Sequence, residues 1–417
     1  MASNDMYKLE LSSTLILPKS LFTESAGFAC DIGGSLAKFV YFISDTDQDS
    51  VTVHLDTFPR ENLDDGLKYI QENFVKPAGE KWNKNNILTC GVGSYHFMYK
   101  LEDAFNTKGI KNINEDCFGE AFVKLAKLLS TEEVVEGLNS KVMQEEAAVV
   151  QCLQDQNKKF KTSPTGDTKP MAEQDPYFHP FPDAAEVVKM YAEVEAIKLP
   201  CAIMFIGSGG GVLKLFEDSS YHVLQMWPST GKYLIGMGKI LTGAKTFDDL
   251  MELAEKGDST KVDTVLGDIM QKNCEKPNTK TEDDIYAKFM DDVNNMDNSN
   301  IENAVVFTFG KVVDKDIGDF RKEDIARAFV SHACKEMVIV SRLAAASGGA
   351  TQLIYVGSTV SHPLIQAEMS KWCIHNALDN HRTMNVRCAF LKNSGYYGAI
   401  GALLKAQNKE EIVSKDS

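Results

Sequence analysis

The stretch that most constrains this chain is Phe28-Ala-Cys-Asp-Ile-Gly-Gly-Ser-Leu-Ala-Lys-Phe-Val-Tyr-Phe42. It reads as strand, tight turn and strand: Phe28 to Cys30 lead in, Gly33 and Gly34 turn, and Leu36 to Phe42 lead out. Adjacent glycines let backbone N–H groups turn outward with no Cβ in the way, which suits an anion such as a phosphate. Ser35 adds a hydroxyl donor, and Asp31 offers a carboxylate to a hydrated Mg²⁺. With a period of two, Lys38 shares the face of Leu36, Val40 and Phe42, so a cation stands in an apolar row. A buried ammonium is costly unless an anion meets it. A plain Gly-Gly hairpin with a lysine snorkelling at a sheet edge would look the same. Repetition elsewhere in the chain is what separates the two.

The pattern does repeat. Val51-Thr-Val-His-Leu55 alternates as a third strand, completing an antiparallel meander over residues 28–55, and residues 62–73 follow with helical spacing. Ile87 to Cys90 is a buried strand running into a second glycine turn, Gly91-Val-Gly-Ser94, and residues 118–129 and 132–152 read as helices. After a polar stretch rich in Pro, Gly, Ser and Thr, the plan restarts: Pro200 to Ile206, then Gly207-Ser-Gly-Gly-Gly211, then Val212 to Phe216, with Tyr221 to Met226 as third strand. Lys214 stands just after the second turn as Lys38 does after the first. Helical patterns cover 233–241, 246–255, 262–270 and 322–346; strands fall at 352–358 and 387–391, and a closing helix at 396–405. The expected organisation is a tail over 1–26, an N-terminal lobe over 27–153, a linker over 154–197, a C-terminal lobe over 198–406 and a tail over 407–417. A duplicated domain of this kind implies a nucleotide whose phosphates the two hairpins clamp, with Val356-Gly-Ser358 near the nucleoside.

Composition excludes several partners. A net charge of −15 argues against nucleic acid and against an anionic membrane surface. No apolar run is long enough to span a bilayer, and no basic n-region precedes a long apolar segment, so neither a transmembrane segment nor a secretory signal is expected. Nine dispersed cysteines without a Cys-x-x-Cys pair fit reduced thiols, hence a cytoplasmic location.

Several segments together resemble the eukaryotic-type (type II) pantothenate kinases: Asp31-Ile-Gly-Gly-Ser-Leu-Ala-Lys38, Ile206-Gly-Ser-Gly209, Leu241-Thr-Gly243, Ala254-Glu-Lys-Gly-Asp-Ser-Thr260, Lys322-Glu-Asp-Ile-Ala-Arg-Ala328, Val356-Gly357 and Gly395-Tyr-Tyr-Gly-Ala-Ile-Gly-Ala-Leu-Leu404. The resemblance covers residues 27–153 and 198–406, in the family's order. It implies an α/β fold of duplicated ribonuclease H-like domains, the architecture of the actin/sugar-kinase/heat-shock ATPase superfamily. It also implies phosphorylation of pantothenate by ATP with Mg²⁺ as the first step of coenzyme A synthesis, inhibition by acyl-coenzyme A, and a homodimer or a heterodimer with a paralogue. The phosphate-binding residues it implies are Asp31, Gly33, Gly34, Ser35, Lys38, Gly207, Ser208, Gly209 and Gly357.

Phosphoryl transfer also needs a base near the attacking hydroxyl. The segment Val142-Met-Gln-Glu-Glu-Ala-Ala148 carries Glu145 and Glu146, which as helical neighbours point about 100° apart, so at most one faces a cleft. The resemblance puts the catalytic glutamate at Glu145. The chain departs from the family over residues 223–239: Val223 falls where the family has an arginine that contacts pantothenate or the acyl-coenzyme A inhibitor, and Gly231 alone remains of three glycines, followed by Lys232. Gly91 and Gly93 belong to the same expected substrate or acyl-coenzyme A pocket. Three readings follow: an active pantothenate kinase, for which Asp31, Lys38 and Glu145 are all retained; a catalytically weak paralogue acting as a regulatory subunit or thioester sensor; and a kinase of the same fold for another small substrate.

Overall fold

The computed structural model describes residues 12–44, 48–108, 110–113, 116–148, 184–193, 195–269, 303–379 and 385–407. They form two compact units. The first holds residues up to Val134, with Leu215–His222 and the residues from Leu391 on; the second holds Val135–Lys214 and Val223–Phe390. Most of the expected linker, and the tail beyond Gln407, lie outside the described residues.

The first sheet contains β1 (Ser12–Pro18), β2 (Ala26–Ile32), β3 (Leu36–Ile43), β4 (Ser50–Pro59), β5 (Leu88–Cys90) and β6 (Lys111–Asn112), in the order β1-β4-β3-β2-β5-β6. The meander over β2, β3 and β4 is antiparallel as the sequence pattern predicts, whereas β5 joins β2 in parallel and β6 joins β5 in parallel. Beneath it, Phe28, Phe39, Phe74 and Phe105 are buried together, with Phe28 and Phe105 ring centroids 4.9 Å apart and Trp82 edge-on to Phe74 at 5.0 Å. Such a ring cluster is a large apolar load for so small a sheet and fixes its curvature against the helix Val92–Phe105.

The second sheet contains β7 (Val135–Glu136), β8 (Cys201–Ile206), β9 (Gly210–Leu215), β10 (Tyr221–Trp227), β13 (Gln352–Val356) and β14 (Arg387–Leu391), ordered β10-β9-β8-β13-β14-β7. The strands β8, β13 and β14 are parallel neighbours. The remaining strands, β11 (Thr264–Val265) and β12 (Val305–Phe307), form a separate two-stranded ribbon. Setting aside β1 and β7, both sheets run third, second, first, fourth, fifth in their own strands. The duplication expected from two glycine turns is therefore a duplication of topology. The second core packs the helices Lys322–Ser347 and Pro363–Asp379 on β13, with Phe329, Met337, Met369 and Tyr355 buried.

Five expectations need correction. Residues 12–18 are no tail: Leu15 pairs with Val53 and Leu17 with Val51, and Leu17 is fully buried. The helix expected over 132–152 is broken by β7 and residues 137–139; it restarts at 140, where Asn139 accepts the Val142 amide at 3.2 Å. Residues 262–270 hold β11 rather than a continuous helix, and the helix Ala184–Ala192 occupies part of the expected linker, with Val187 and Tyr191 in the core. Finally, the helix Tyr397–Gln407 belongs to the first unit, not the second: the Tyr396 hydroxyl accepts from Thr57 Oγ1 at 2.8 Å, and Gln407 Oε1 accepts the Thr23 and Glu24 amides at 3.1 and 3.0 Å. No helix among the described residues is long and apolar enough to cross a membrane.

Because Leu17 is core rather than tail, Leu17→Ala should lower unfolding free energy by about 2–5 kcal/mol. Urea denaturation followed by circular dichroism checks this; a midpoint unmoved from wild type would return residues 12–18 to a tail.

Candidate active site

In the first unit the site is built around the end of β2. Asp31 and Lys38 face each other across the β2–β3 hairpin, and Lys38 Nζ lies 3.5 Å from Asp31 Oδ2, with side-chain exposures of 15 and 18%. The cation in the apolar row thus meets a carboxylate on the neighbouring strand, which makes its burial tolerable. Gly91, at φ +84°, lies so close that a Cβ there would overlap Asp31 Oδ1, and a Cβ at Gly398 would come to 3.3 Å from Asp31 Oδ2. Gly93 packs on the Ile32 and Gly33 carbonyls at 2.6 and 2.7 Å from where its Cβ would be. Ser94 locks this contact, donating its hydroxyl to the Cys90 carbonyl and accepting the Ile32 amide at 3.4 Å. In the turn itself, the Gly33 amide donates to the Leu36 carbonyl at 2.9 Å, and the Ser35 carbonyl accepts the Arg60 amide at 2.8 Å. The Gly33 N–H is therefore engaged in closing the hairpin rather than turned outward.

In the second unit, β8 ends at Ile206 and the turn Gly207-Ser-Gly209 leads into β9. The Gly207 amide donates to the Gly209 carbonyl at 3.1 Å. The helix Gly231–Thr242 starts against this turn: the Gly231 and Lys232 amides donate to the Gly207 and Ser208 carbonyls at 2.8 and 3.2 Å. The start of this helix thus has its first two amides on the glycine turn. Gly231 is required there, since a Cβ would sit 2.5 Å from the Gly207 carbonyl oxygen. Gly357, at φ +117°, packs equally close on the Ile206 carbonyl. By contrast, a Cβ at Gly209 would meet nothing within 4 Å, and one at Gly207 only an oxygen at 3.7 Å.

Sequence reasoning gave Thr230 only as part of a helix start, and it missed the contact of Gly398 with Asp31. Thr230 is fully buried and caps the helix by position, yet its side chain makes no capping bond and its Oγ1 has no hydrogen-bond partner. Among the described residues this hydroxyl has no partner, which is uncommon for a buried polar group. Its signal was the Ser-Thr-Gly helix start. Gly398 carried no such signal, because its contact with Asp31 spans most of the chain.

The structure separates the two glutamates. On the helix over residues 140–148, Glu146 is buried and its Oε1 lies 2.7 Å from His375 Nδ1, with Lys371 at 4.0 Å. Glu145 is 64% exposed and pairs loosely with Lys141 at 3.9 Å. Met143 and Ala147 enter the core on the Glu146 side, which leaves Glu145 as the carboxylate on the open side. Among the described residues no hydrogen bond or ion pair links Glu145 to the 207–209 turn. Lys214 also departs from expectation: its ammonium donates to the Gly348 carbonyl at 2.8 Å, at the C-terminus of the helix Lys322–Ser347. Among the described residues no cluster of three or more His, Cys, Asp or Glu is assembled for a metal.

The Fumble family model matches residues 27–405. The chain belongs to the Fumble family, the pantothenate kinase family. Fumble-family relatives include pantothenate kinase 1 of Arabidopsis thaliana, 23% identical over 399 residues that make up 91% of this chain and 85% of that protein. The pantothenate kinase of Schizosaccharomyces pombe is 23% identical over 396 residues, 90% of this chain and 81% of that one. At that distance the chain is a divergent Fumble-family member. Its fold is α/β, with two six-stranded sheets that repeat one strand order. Among solved structures it is similar to a glucokinase from an Antarctic psychrotroph, at 16% identity and TM-score 0.37, over 92% of this chain and 99% of that one.

The two environments on the helix over 140–148 predict different stabilities. Glu146→Ala should cost about 1–3 kcal/mol, because His375 and Lys371 lose a buried carboxylate. Glu145→Ala should stay within about 0.5 kcal/mol of wild type. Paired urea titrations read both, and equal shifts would mean that the helix packs by its other face.

Proposed function

We propose that the chain is an ATP-dependent kinase that phosphorylates pantothenate to 4'-phosphopantothenate, the first step of coenzyme A biosynthesis. The observation that carries the proposal is the pairing of two glycine turns at equivalent points of two sheets with one strand order. Room left over Gly207 and Gly209, beside the orphan Thr230 hydroxyl, supports a phosphate at the second turn. Lys38 beside Asp31 supports charge neutralisation at the first, with Gly34 and Ser35 as the donors beyond the engaged Gly33 amide. Gly357, packed on the same strand end as the second turn, supports a nucleoside there. The names of the relatives, pantothenate kinases of plants and yeast, support the acceptor.

One half-buried carboxylate, Asp31, fits an Mg²⁺ that keeps most of its waters, and bound Mg²⁺ would supply charge neutralisation between the phosphates. Lys38 holds the Asp31 carboxylate in place and adds its own charge to the phosphate side. Glu145 takes the proton of the pantothenate hydroxyl as it attacks the γ-phosphorus. Gly91, Gly93, Gly231 and Lys232 shape the approaches to these turns, where pantothenate or an acyl-coenzyme A inhibitor would bind. Dimerisation, with itself or a paralogue, belongs to the same proposal.

A second reading, a weak paralogue acting as regulatory subunit or thioester sensor, is favoured by one observation. Val223, where the resemblance sets a ligand-contacting arginine, is 54% exposed on the edge strand β10. An apolar side chain there cannot pair a phosphate or carboxylate.

Coupled ADP release with purified protein, MgATP and pantothenate, run beside pantetheine and simple sugars, decides between the readings. Turnover on pantothenate is expected, and its absence would favour the second reading, or a different substrate if a sugar reacts. In the active enzyme, Glu145→Gln should lower kcat by about two to four orders of magnitude with little change in KM for ATP. MgATP should raise the melting temperature of wild type, and Lys38→Ala should abolish that rise. A rise that survives the substitution would remove Lys38 from the nucleotide site.

A further inference from the structure

Away from both glycine turns, the second unit encloses a cluster of thiols, phenols and one guanidinium. Arg342, fully buried in the helix Lys322–Ser347, donates from Nη1 to Cys388 Sγ at 3.2 Å and from Nε to Asn376 Oδ1 at 3.1 Å. Its guanidinium also lies over the Tyr191 ring, 5.5 Å from the centroid. Tyr355, on β13, sets its hydroxyl 3.6 Å from Cys373 Sγ, 3.9 Å from Cys388 Sγ and 3.2 Å from Ser341 Oγ. The two thiols thus flank one hydroxyl, Cys373 from the helix Pro363–Asp379 and Cys388 from β14. Nothing in this arrangement serves nucleotide or substrate.

A second observation concerns access. A cavity of about 20 Å³, lined by Tyr191, Glu195, Gln352, Ile354, Arg387 and Cys388, adjoins the cluster. That is room for about one water-sized molecule. Arg387 and Glu195, 3.2 Å apart, line it together.

We propose that Cys388 is a modification site: a thiolate held by Arg342 that reacts with hydrogen peroxide and passes the oxidation to Cys373 as an intramolecular disulfide. The sulfur of Cys388 attacks one peroxide oxygen, an S–O bond forms as the O–O bond breaks, and hydroxide leaves. Cys373 then attacks the sulfenic sulfur; the S–S bond forms, the S–O bond breaks, and the second oxygen departs as water with the Cys373 proton. Both sulfurs are oxidised by one electron each, and one peroxide is reduced to a hydroxide and a water, the hydroxide becoming water with the proton that Cys388 gave up on ionising. The cavity favours this small oxidant over glutathione disulfide.

The charge balance agrees with the geometry. Burial opposes ionisation of Cys388, but hydrogen bonds from Cys373, the Arg342 charge and the Tyr355 hydroxyl outweigh it and bring the thiol down to about 7. Burial without such partners pushes Cys201 up to about 12, and Cys334 is raised as well. The disulfide would tie the helix Pro363–Asp379 covalently to β14.

The test is peptide mass spectrometry on the full-length protein treated with hydrogen peroxide at neutral pH and quenched in denaturant with a thiol-blocking reagent. A Cys373–Cys388 linked peptide should form at least about tenfold faster than oxidation of the buried Cys201 thiol. In Cys373→Ser, Cys388 should stop as a sulfenic acid, captured by dimedone in the denaturing quench; in Cys388→Ser, Cys373 should remain a free thiol. Arg342→Met should slow the reaction of Cys388. If that variant fails to fold, Tyr355→Phe, which removes one hydroxyl beside both sulfurs, should slow it instead. Oxidation of Cys388 no faster than that of Cys201 overturns the proposal, as does a rate unchanged in whichever variant folds. None of these readouts depends on kinase activity.

Discussion

The central strands β2 and β8 each end beneath backbone that tolerates no Cβ. At β2, Gly91 and Gly93 bring the start of the helix Val92–Phe105 onto Asp31 and the Ile32 carbonyl. At β8, Gly357 lies on the Ile206 carbonyl and Gly231 on the Gly207 carbonyl. These close approaches fix where the strands stop, so the turns that follow leave in a defined direction. The glycines therefore fall into two kinds. Gly91, Gly93, Gly231 and Gly357 are demanded by packing, whereas among the described residues a Cβ at Gly209 would meet no atom within 4 Å and one at Gly207 only an oxygen at 3.7 Å. Space over a backbone turn is what an incoming anion needs, while a packed glycine only holds the turn in position.

Two lysines at matching sequence positions show how the same spacing serves different ends. Lys38 pairs across a hairpin with Asp31, and the register that sets them opposite each other is that of β2 and β3 alone. Lys214 follows the second turn in the same way, but its ammonium reaches the Gly348 carbonyl, just past the end of the helix Lys322–Ser347. A lysine on a strand goes to whichever acceptor the neighbouring layer presents, and that layer is set by packing far away in sequence. The duplication is one of backbone topology, and it does not extend to the charges.

The meander, both glycine turns, the parallel strands after them and the long helix over 322–347 were legible because each is a local pattern. Three segments were not. The strand β1 begins Ser-Ser-Thr and buries only Leu17 fully, so its alternation is that of an edge and too faint to separate from a tail. The helix expected across 132–152 stops at β7 because residues 135–136 join the far edge of the second sheet, a long-range pairing that no helical period reveals. Residues 184–192 follow a polar stretch, and only burial of Val187 and Tyr191 in the second core marks them as structural. At the site, the Glu145/Glu146 pair was legible as a pair. The assignment of inside and outside came from His375 and Lys371, far along the chain.

The segments that carry the family resemblance turn out to be largely joints of the fold. Gly257 fits against the Glu323 carbonyl, Asp258 donates its amide to the buried Asp324 at 2.9 Å, and Arg327 reaches Glu368 at 2.5 Å. Gly401 packs on the Cys117 carbonyl and Gly398 against Asp31. Any side chain larger than hydrogen at Gly257 or Gly401 displaces backbone, and one at Gly398 crowds the Cys90 and Asp31 side chains, so the segments are held by sterics whatever the ligand. Position 223 is of the opposite kind: it lies exposed on an edge strand, where an arginine or a valine costs the fold about the same. Divergence there is therefore unconstrained by folding. In this chain position 223 can change while the joints of the fold are kept.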